Sequence, residues 1–244
     1  ELFCVMTTGM ASIAGSVLVA YAKMLGQSEY AGHLVTASFL SAPAGVLVAK
    51  LMVPETETPV TGSAGGALSV PTSANVIDAA AEGAIAAFRL AGYVAALLIA
   101  FVALIAMANA GVTALGELVG IDGLTLQRLF GYAFAPLALL MGVAPADALS
   151  VGSLLGLKTV LNELLAYQEL AGQIAAGALS QRSAVIASYG LCGFANFGSL
   201  AILIGGMGGM APSRRGEIAA LGMRSIAAGT FASAMTGCVA GIFL

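Results

Sequence analysis

Five stretches of this chain, at about 2–25, 31–53, 88–110, 183–210 and 218–243, stay apolar for the roughly 20 residues that a helix needs to cross a bilayer. Each holds at most one Lys, Arg, Asp or Glu. Lipid offers no partner to backbone N–H and C=O groups, so each run must satisfy its own, and a helix does this. Only 9% of the 244 residues are charged, against roughly 25% in a soluble globular domain. The 32 glycines fit helices that pack backbone to backbone in a membrane. The expected fold is therefore an all-α, multi-pass integral membrane protein. A net charge of −3 without a basic run speaks against nucleic acid as a partner. Cys4, Cys192 and Cys238 all fall in apolar runs and read as small buried hydrophobes. The chain begins at Glu1 and is apolar from Leu2 without a basic leader, which reads as a truncated start.

The segments between the spans divide the chain. Residues 54–75 are rich in Pro, Gly, Thr and Ser and read as an aqueous loop; 76–87 begin a short interfacial helix, so that 54–87 is loop plus interfacial segment. The span 88–110 stands alone, and 112–145 mixes Glu117, Asp122 and Arg128 with apolar positions, as a surface-lying helix does. Residues 146–180 are apolar at both ends with Lys158, Asn162 and Glu163 in the middle. Two half-helices meeting at a polar tip, a re-entrant hairpin, accommodate that pattern. Lys50, Arg89, Arg214 and Arg215 then share one face, which the positive-inside rule assigns to the cytoplasm, with Lys23 as the exception.

Two matches suggest an internal repeat. Gly9-Met-Ala-Ser-Ile-Ala14 resembles Gly193-Phe-Ala-Asn-Phe-Gly198, and Ser38-Phe-Leu-Ser-Ala-Pro-Ala-Gly45 resembles Thr230-Phe-Ala-Ser-Ala-Met-Thr-Gly237, in the same order. One crossing between the copies would invert them, the design of secondary transporters with a midplane site. On this reading 1–53 carries a first broken helix and following span, 183–244 the second, and a hairpin for the first copy is expected upstream of Glu1.

Glu163 is the sharpest chemical signal, because a carboxylate at membrane depth is costly and marks a substrate or ion pathway, unless it only pairs with Lys158 or reaches water at the tip. Asn162 bonds substrate or caps a half-helix. Asn196 and Ser199, three residues apart, share a helical face and could meet vicinal hydroxyls, or pack helices. Phe194 offers a flat face for stacking, or packs in the core or against lipid. Ser12, with unwound carbonyls, makes an oxygen environment suited to an alkali cation. Lys158 reads as structural or interfacial and His33 as a surface residue. No nucleophile–base constellation, metal-ligand cluster or cofactor motif is present in the sequence, so an enzyme is not expected.

Gly156-Leu-Lys-Thr-Val-Leu-Asn-Glu-Leu-Leu-Ala-Tyr167 resembles the signature of the concentrative nucleoside transporters, and residues 192–202 and 1–22 resemble that family's two broken helices. The resemblance implies ion-coupled nucleoside symport at the cell (inner) membrane, with Glu163, Asn196 and Ser199 on the ribose hydroxyls, Phe194 beside them, and Val17 against the base. It further implies Ser12 and the Ile13 carbonyl as sodium ligands, a homotrimer, and 88–110 as scaffold. Base preference is not readable, and some members of the family use protons. An inverted-repeat transporter for another polar solute, or an ion channel, is the alternative on the residues alone.

Overall fold

The computed structural model describes residues 1–26, 28–56 and 73–244; most of the expected loop at 54–75 falls outside the described residues. Among these, the regular secondary structure is helical.

The first apolar run is two helices, α1 (Leu2–Ala11) and α2 (Gly15–Met24). Ser12 is the reason for the break. Its backbone turns extended (φ −105°, ψ 163°), and its amide and hydroxyl both donate to the Thr8 carbonyl, at 3.1 and 2.9 Å, which closes the end of α1. Helix α3 (Ser28–Met52) follows, with Pro43 inside it. Helix α4 runs unbroken over Val76–Leu118, started by Asn75, whose side chain accepts from the Asp78 amide at 2.9 Å. Thr125 starts α5 (Leu126–Leu140) in the same way, by accepting from the Arg128 amide. The polar-centred segment forms α6 (Ala148–Val160) and α7 (Glu163–Ala175), with Leu161 and Asn162 between them. Helix α8 (Gln181–Leu191), extended residues at Cys192 and Asn196, and α9 (Phe197–Met210) make the second broken helix. A short turn at Pro212–Arg214 leads to α10 (Arg215–Phe243).

Three expectations need revision. The boundary placed at residue 88 is absent: from 76 to 118 one helix of 43 residues replaces an interfacial piece and a separate span. At 1.5 Å per residue it is about 65 Å long, more than a bilayer's thickness. Ala and Leu favour helix on both sides of Arg89, so one charge does not stop it. Secondly, 112–145 is not one surface helix but the end of α4, a turn and α5. Helix α5 packs along α6 so closely that a Cβ on Gly152 would sit 2.5 Å from the Gly131 carbonyl. Thirdly, His33 is no bare surface residue, since its Nδ1 is 3.2 Å from the Tyr189 hydroxyl on α8. Of the cysteines, Cys192 alone is buried, while Cys4 and Cys238 are half-buried.

The two matched motifs sit at corresponding places. Ser12 and its counterpart Asn196 both occupy a helix break, and the second matching stretches both lie inside unbroken helices, α3 and α10. Helix α10 is the central post, packed against α1, α3, α8 and α9 through small buried residues such as Ala228, Gly229, Ala232 and Ser233. In lipid, where apolar surface has no water to escape, such close approach supplies the packing energy. Among the described residues, three stretches are long and apolar enough to cross a membrane, Leu2–Met24, Glu29–Met52 and Pro212–Phe243.

The base of the hairpin is tied outside the spans. Asp147, ahead of α6, accepts from the Ser180 hydroxyl at 2.6 Å and its amide at 3.2 Å, at the start of α8. These bonds, the Ser180 hydroxyl first, hold the Asp147 carboxyl below the usual carboxylate range. A carboxylate depressed on folding stabilises fully above its unfolded pKa of about 4 and loses that contribution as pH falls through the folded value. The melting difference between the protein and its Asp147→Ala variant should therefore be constant near neutral pH and shrink below about pH 4. Scanning melts across pH check this, and a gap that persists in acid rules out the strap.

Candidate functional site

The breaks and the hairpin tip converge. A cavity of about 600 Å³ opens where α2, the tip between α6 and α7, and the start of α9 meet, with Val102 of α4 on one side. That size lies within the roughly 300–1,000 Å³ of small-molecule sites. Its polar wall is narrow and its remaining wall is apolar, built from residues such as Met10, Leu161, Ile202 and Leu203.

The polar wall is built by capping. Asn162 precedes α7, and its Oδ1 accepts from the Leu165 amide at 3.0 Å; Asn196 precedes α9, and its Oδ1 accepts from the Ser199 amide at 2.7 Å. Each cap satisfies a helix-end donor that lipid could not. Each also aims a helix N-terminus, with its partial positive charge, at the cavity. Glu163, the first residue of α7, is only 7% exposed yet lines that cavity. Its Oε1 accepts from the Tyr21 hydroxyl and its Oε2 from Asn196 Nδ2, both at 2.9 Å. Those two bonds join α2, α7 and α9, elements from both matched halves of the chain.

Six residues singled out from the sequence, Glu163, Asn196, Ser199, Phe194, Val17 and Asn162, line this one cavity. Ser12 and Ile13 do not; they stand in the first break, Ile13 buried in the core and Ser12 half-buried with its hydroxyl donated to Thr8. Among the described residues no cluster of three or more His, Cys, Asp or Glu side chains could hold a metal ion.

Sequence reasoning missed Tyr21. One helical turn after Val17 it faces the same way, and a Tyr inside an apolar span needs a partner for its hydroxyl. Its ring stacks on Tyr167, centroids 4.3 Å apart, and the Tyr167 hydroxyl donates to the Ser188 carbonyl at 2.7 Å. Two stacked rings therefore fix the phenol that fixes the carboxylate.

Apolar helices that break in matched places around a polar-tipped hairpin and an open cavity define an all-α membrane fold of the kind that secondary transporters use. The family model described as "Na+ dependent nucleoside transporter C-terminus" matches residues 33–241. An uncharacterized transporter of Bacillus subtilis, YutK, is 45% identical over all of this chain and 59% of its own length. Solute carrier family 28 member 3 of Mus musculus is 43% identical over 99% of this chain and 36% of that protein. Among solved structures, CNTnw in an inward-facing substrate-bound state superposes with a TM-score of 0.82 at 45% identity, over 99% of this chain and 56% of that one. The chain belongs to the sodium-dependent nucleoside transporter family. It spans about three-fifths of the length of the bacterial relative and less of the mammalian one.

Tyr21→Phe keeps the ring stack and removes one donor from Glu163. A hydrogen bond to a charged group contributes about 1.5–3 kcal/mol, and an open cavity lets water replace part of it. A loss of about 1 kcal/mol on that basis, read as a lower melting temperature in detergent, is expected; Tyr167→Leu should cost more because it also removes the stack. Equal melting of Tyr21→Phe and the unaltered protein counts against the bond.

Proposed function

We propose that this chain carries the sugar-binding side of a nucleoside symporter driven by a cation gradient, with sodium as the coupling ion. The observation that carries the reading is the arrangement of Glu163, Asn196 and Ser199 on one cavity wall. A carboxylate accepts at about four lone-pair positions, and Tyr21 and Asn196 use two of them. The others suit hydroxyl donors. Asn196 Nδ2 has a second N–H, and Ser199 adds a hydroxyl. Acceptor and donors side by side are what vicinal sugar hydroxyls need, each being donor and acceptor at once. Phe194 and Val17 on the cavity wall suit the flat apolar face of a base, and Asn162 adds a polar group at the tip. The description of the matching family model supports the same substrate class.

The cation would use the first break. Ser12 donates its hydroxyl hydrogen to Thr8, so the oxygen's lone pairs remain for a ligand, and the extended backbone there frees the Ile13 carbonyl from a regular ladder. Unwound carbonyls and hydroxyls are the ligands that alkali cations take in broken helices. We include the homotrimer in the proposal; the exposed apolar flank of α4, with Phe88 82% exposed, suits lipid or neighbouring copies.

Binding of uridine to the intact protein tests the substrate reading. Glu163→Gln should weaken it by about 1.5–3 kcal/mol, tenfold or more. Asn196→Ala should do likewise, and Ser199→Ala should cost less for a deoxynucleoside that lacks the hydroxyl it meets. Equal losses for ribo- and deoxynucleosides would make both residues packing groups.

Calorimetry in sodium and then in choline tests the coupling. Sodium should tighten nucleoside binding by the factor by which nucleoside tightens sodium, and Ser12→Ala should shrink that factor. Identical affinity in the two salts, with uptake following a pH gradient, would replace sodium by the proton.

A further inference from the structure

Lys158 is the one buried cation among the described residues, 1% exposed in a fold that otherwise keeps its charges at the surface or at Glu163. A lone ammonium costs several kcal/mol to bury, so something must hold it. Its Nζ donates to the Gly190 carbonyl at 3.0 Å and to the Ser233 hydroxyl at 3.3 Å. Gly190 belongs to the last turn of α8, directly ahead of the second break. The Ser233 hydroxyl is 3.1 Å from the Cys192 carbonyl and 3.0 Å from that of Gly229. The ammonium therefore stands at the C-terminal end of a half-helix, where unpaired carbonyls collect and the dipole is negative. Half-helix ends of this kind hold coupling cations in broken-helix transporters.

The same node touches the first break. Gly193, at φ +152°, leaves no room for a side chain: a Cβ there would be 2.7 Å from the Ser233 hydroxyl, 2.8 Å from the Ala11 carbonyl and 2.9 Å from that of Met10. The two breaks thus cross at Gly193, with Ser233 alongside.

We infer that Lys158 is a tethered resident cation: its ammonium permanently fills the carbonyl-lined end of the second break, and so positions Asn196 against Glu163. The first break, in the reading proposed above, takes its cation from solution; the second carries its own on the hairpin. Lys158 is a positioning residue, since it acts through the break and is not on the cavity wall. The competing account is an ordinary hydrogen-bonding peg, for which charge is irrelevant.

The test separates charge from shape. Lys158→Ala in the intact protein leaves a slot that n-propylammonium matches in length, and 1-propanol matches as a neutral donor. Melting temperature is read without any nucleoside, so the result stands apart from the substrate assignment. The variant should melt below the unaltered protein, and n-propylammonium at tens of millimolar should restore it while 1-propanol does not; the unaltered protein should respond to neither. Uridine affinity, lost about tenfold in the variant, should return with the amine alone. If Lys158→Ala is recovered from membranes only as aggregate, the yield of monodisperse protein solubilised with amine, with alcohol or with neither is the readout. Rescue by both compounds, or by neither, overturns the inference. Failure of the unaltered protein to bind uridine would sink the nucleoside reading and leave the melting result untouched.

Discussion

Every helix interrupted within the bilayer must find partners for the backbone groups it frees, and the architecture of this chain follows from that demand. Each interruption is closed by a side chain already in place. Ser12 returns its hydroxyl and amide to Thr8, Asn162 caps α7, and Asn196 caps α9. The carbonyl end of α8 is met by Lys158 through Gly190. Without these groups the breaks would be several kcal/mol too costly in hydrocarbon; with them, helix ends and their dipoles gather around one cavity.

Interruption also decides what the cavity can recognise. A continuous helix shows lipid and its neighbours only side chains, since its amides and carbonyls are consumed internally. The start of α9 presents Asn196 and Ser199 together because one caps the turn in which the other lies. The start of α7 presents Glu163 beside Asn162 for the same reason. Burial of Glu163 would be prohibitive for an isolated carboxylate, yet two donors and a helix N-terminus receive it.

Much of this was legible in the sequence, and the unread part has a common cause. The apolar runs, the polar-centred hairpin and the matched breaks are local patterns, visible because charge, Gly and small polar residues are rare or clustered where lipid excludes water. Asn162, Glu163, Asn196 and Ser199 were found because polar groups in apolar spans stand out, whereas Val17 came only from the family resemblance. Tyr21 was not, because its role depends on Tyr167 and Glu163, more than 140 residues away in the chain. His33 was misjudged likewise: its partner Tyr189 is distant in sequence. The extent of α4 was missed because Arg89 resembles the end of a span, and helix propensity carries through a single charge when nothing else stops it.

The choice of residue at 196 shows how closely helix capping and the support of the buried carboxylate are joined. Asn, Asp, Ser and Thr all cap helices well. Asp would accept from the Ser199 amide but set a second carboxylate where Nδ2 now stands, 2.9 Å from Glu163 Oε2, and like charges at that distance cannot both stay ionised. Ser and Thr hydroxyls can cap but are too short to reach Glu163 at the same time. Asn has an oxygen for the cap and a nitrogen for the carboxylate, separated by the width of one amide. The helix start and the cavity's charge are thus satisfied by the same side chain, so neither can change without the other.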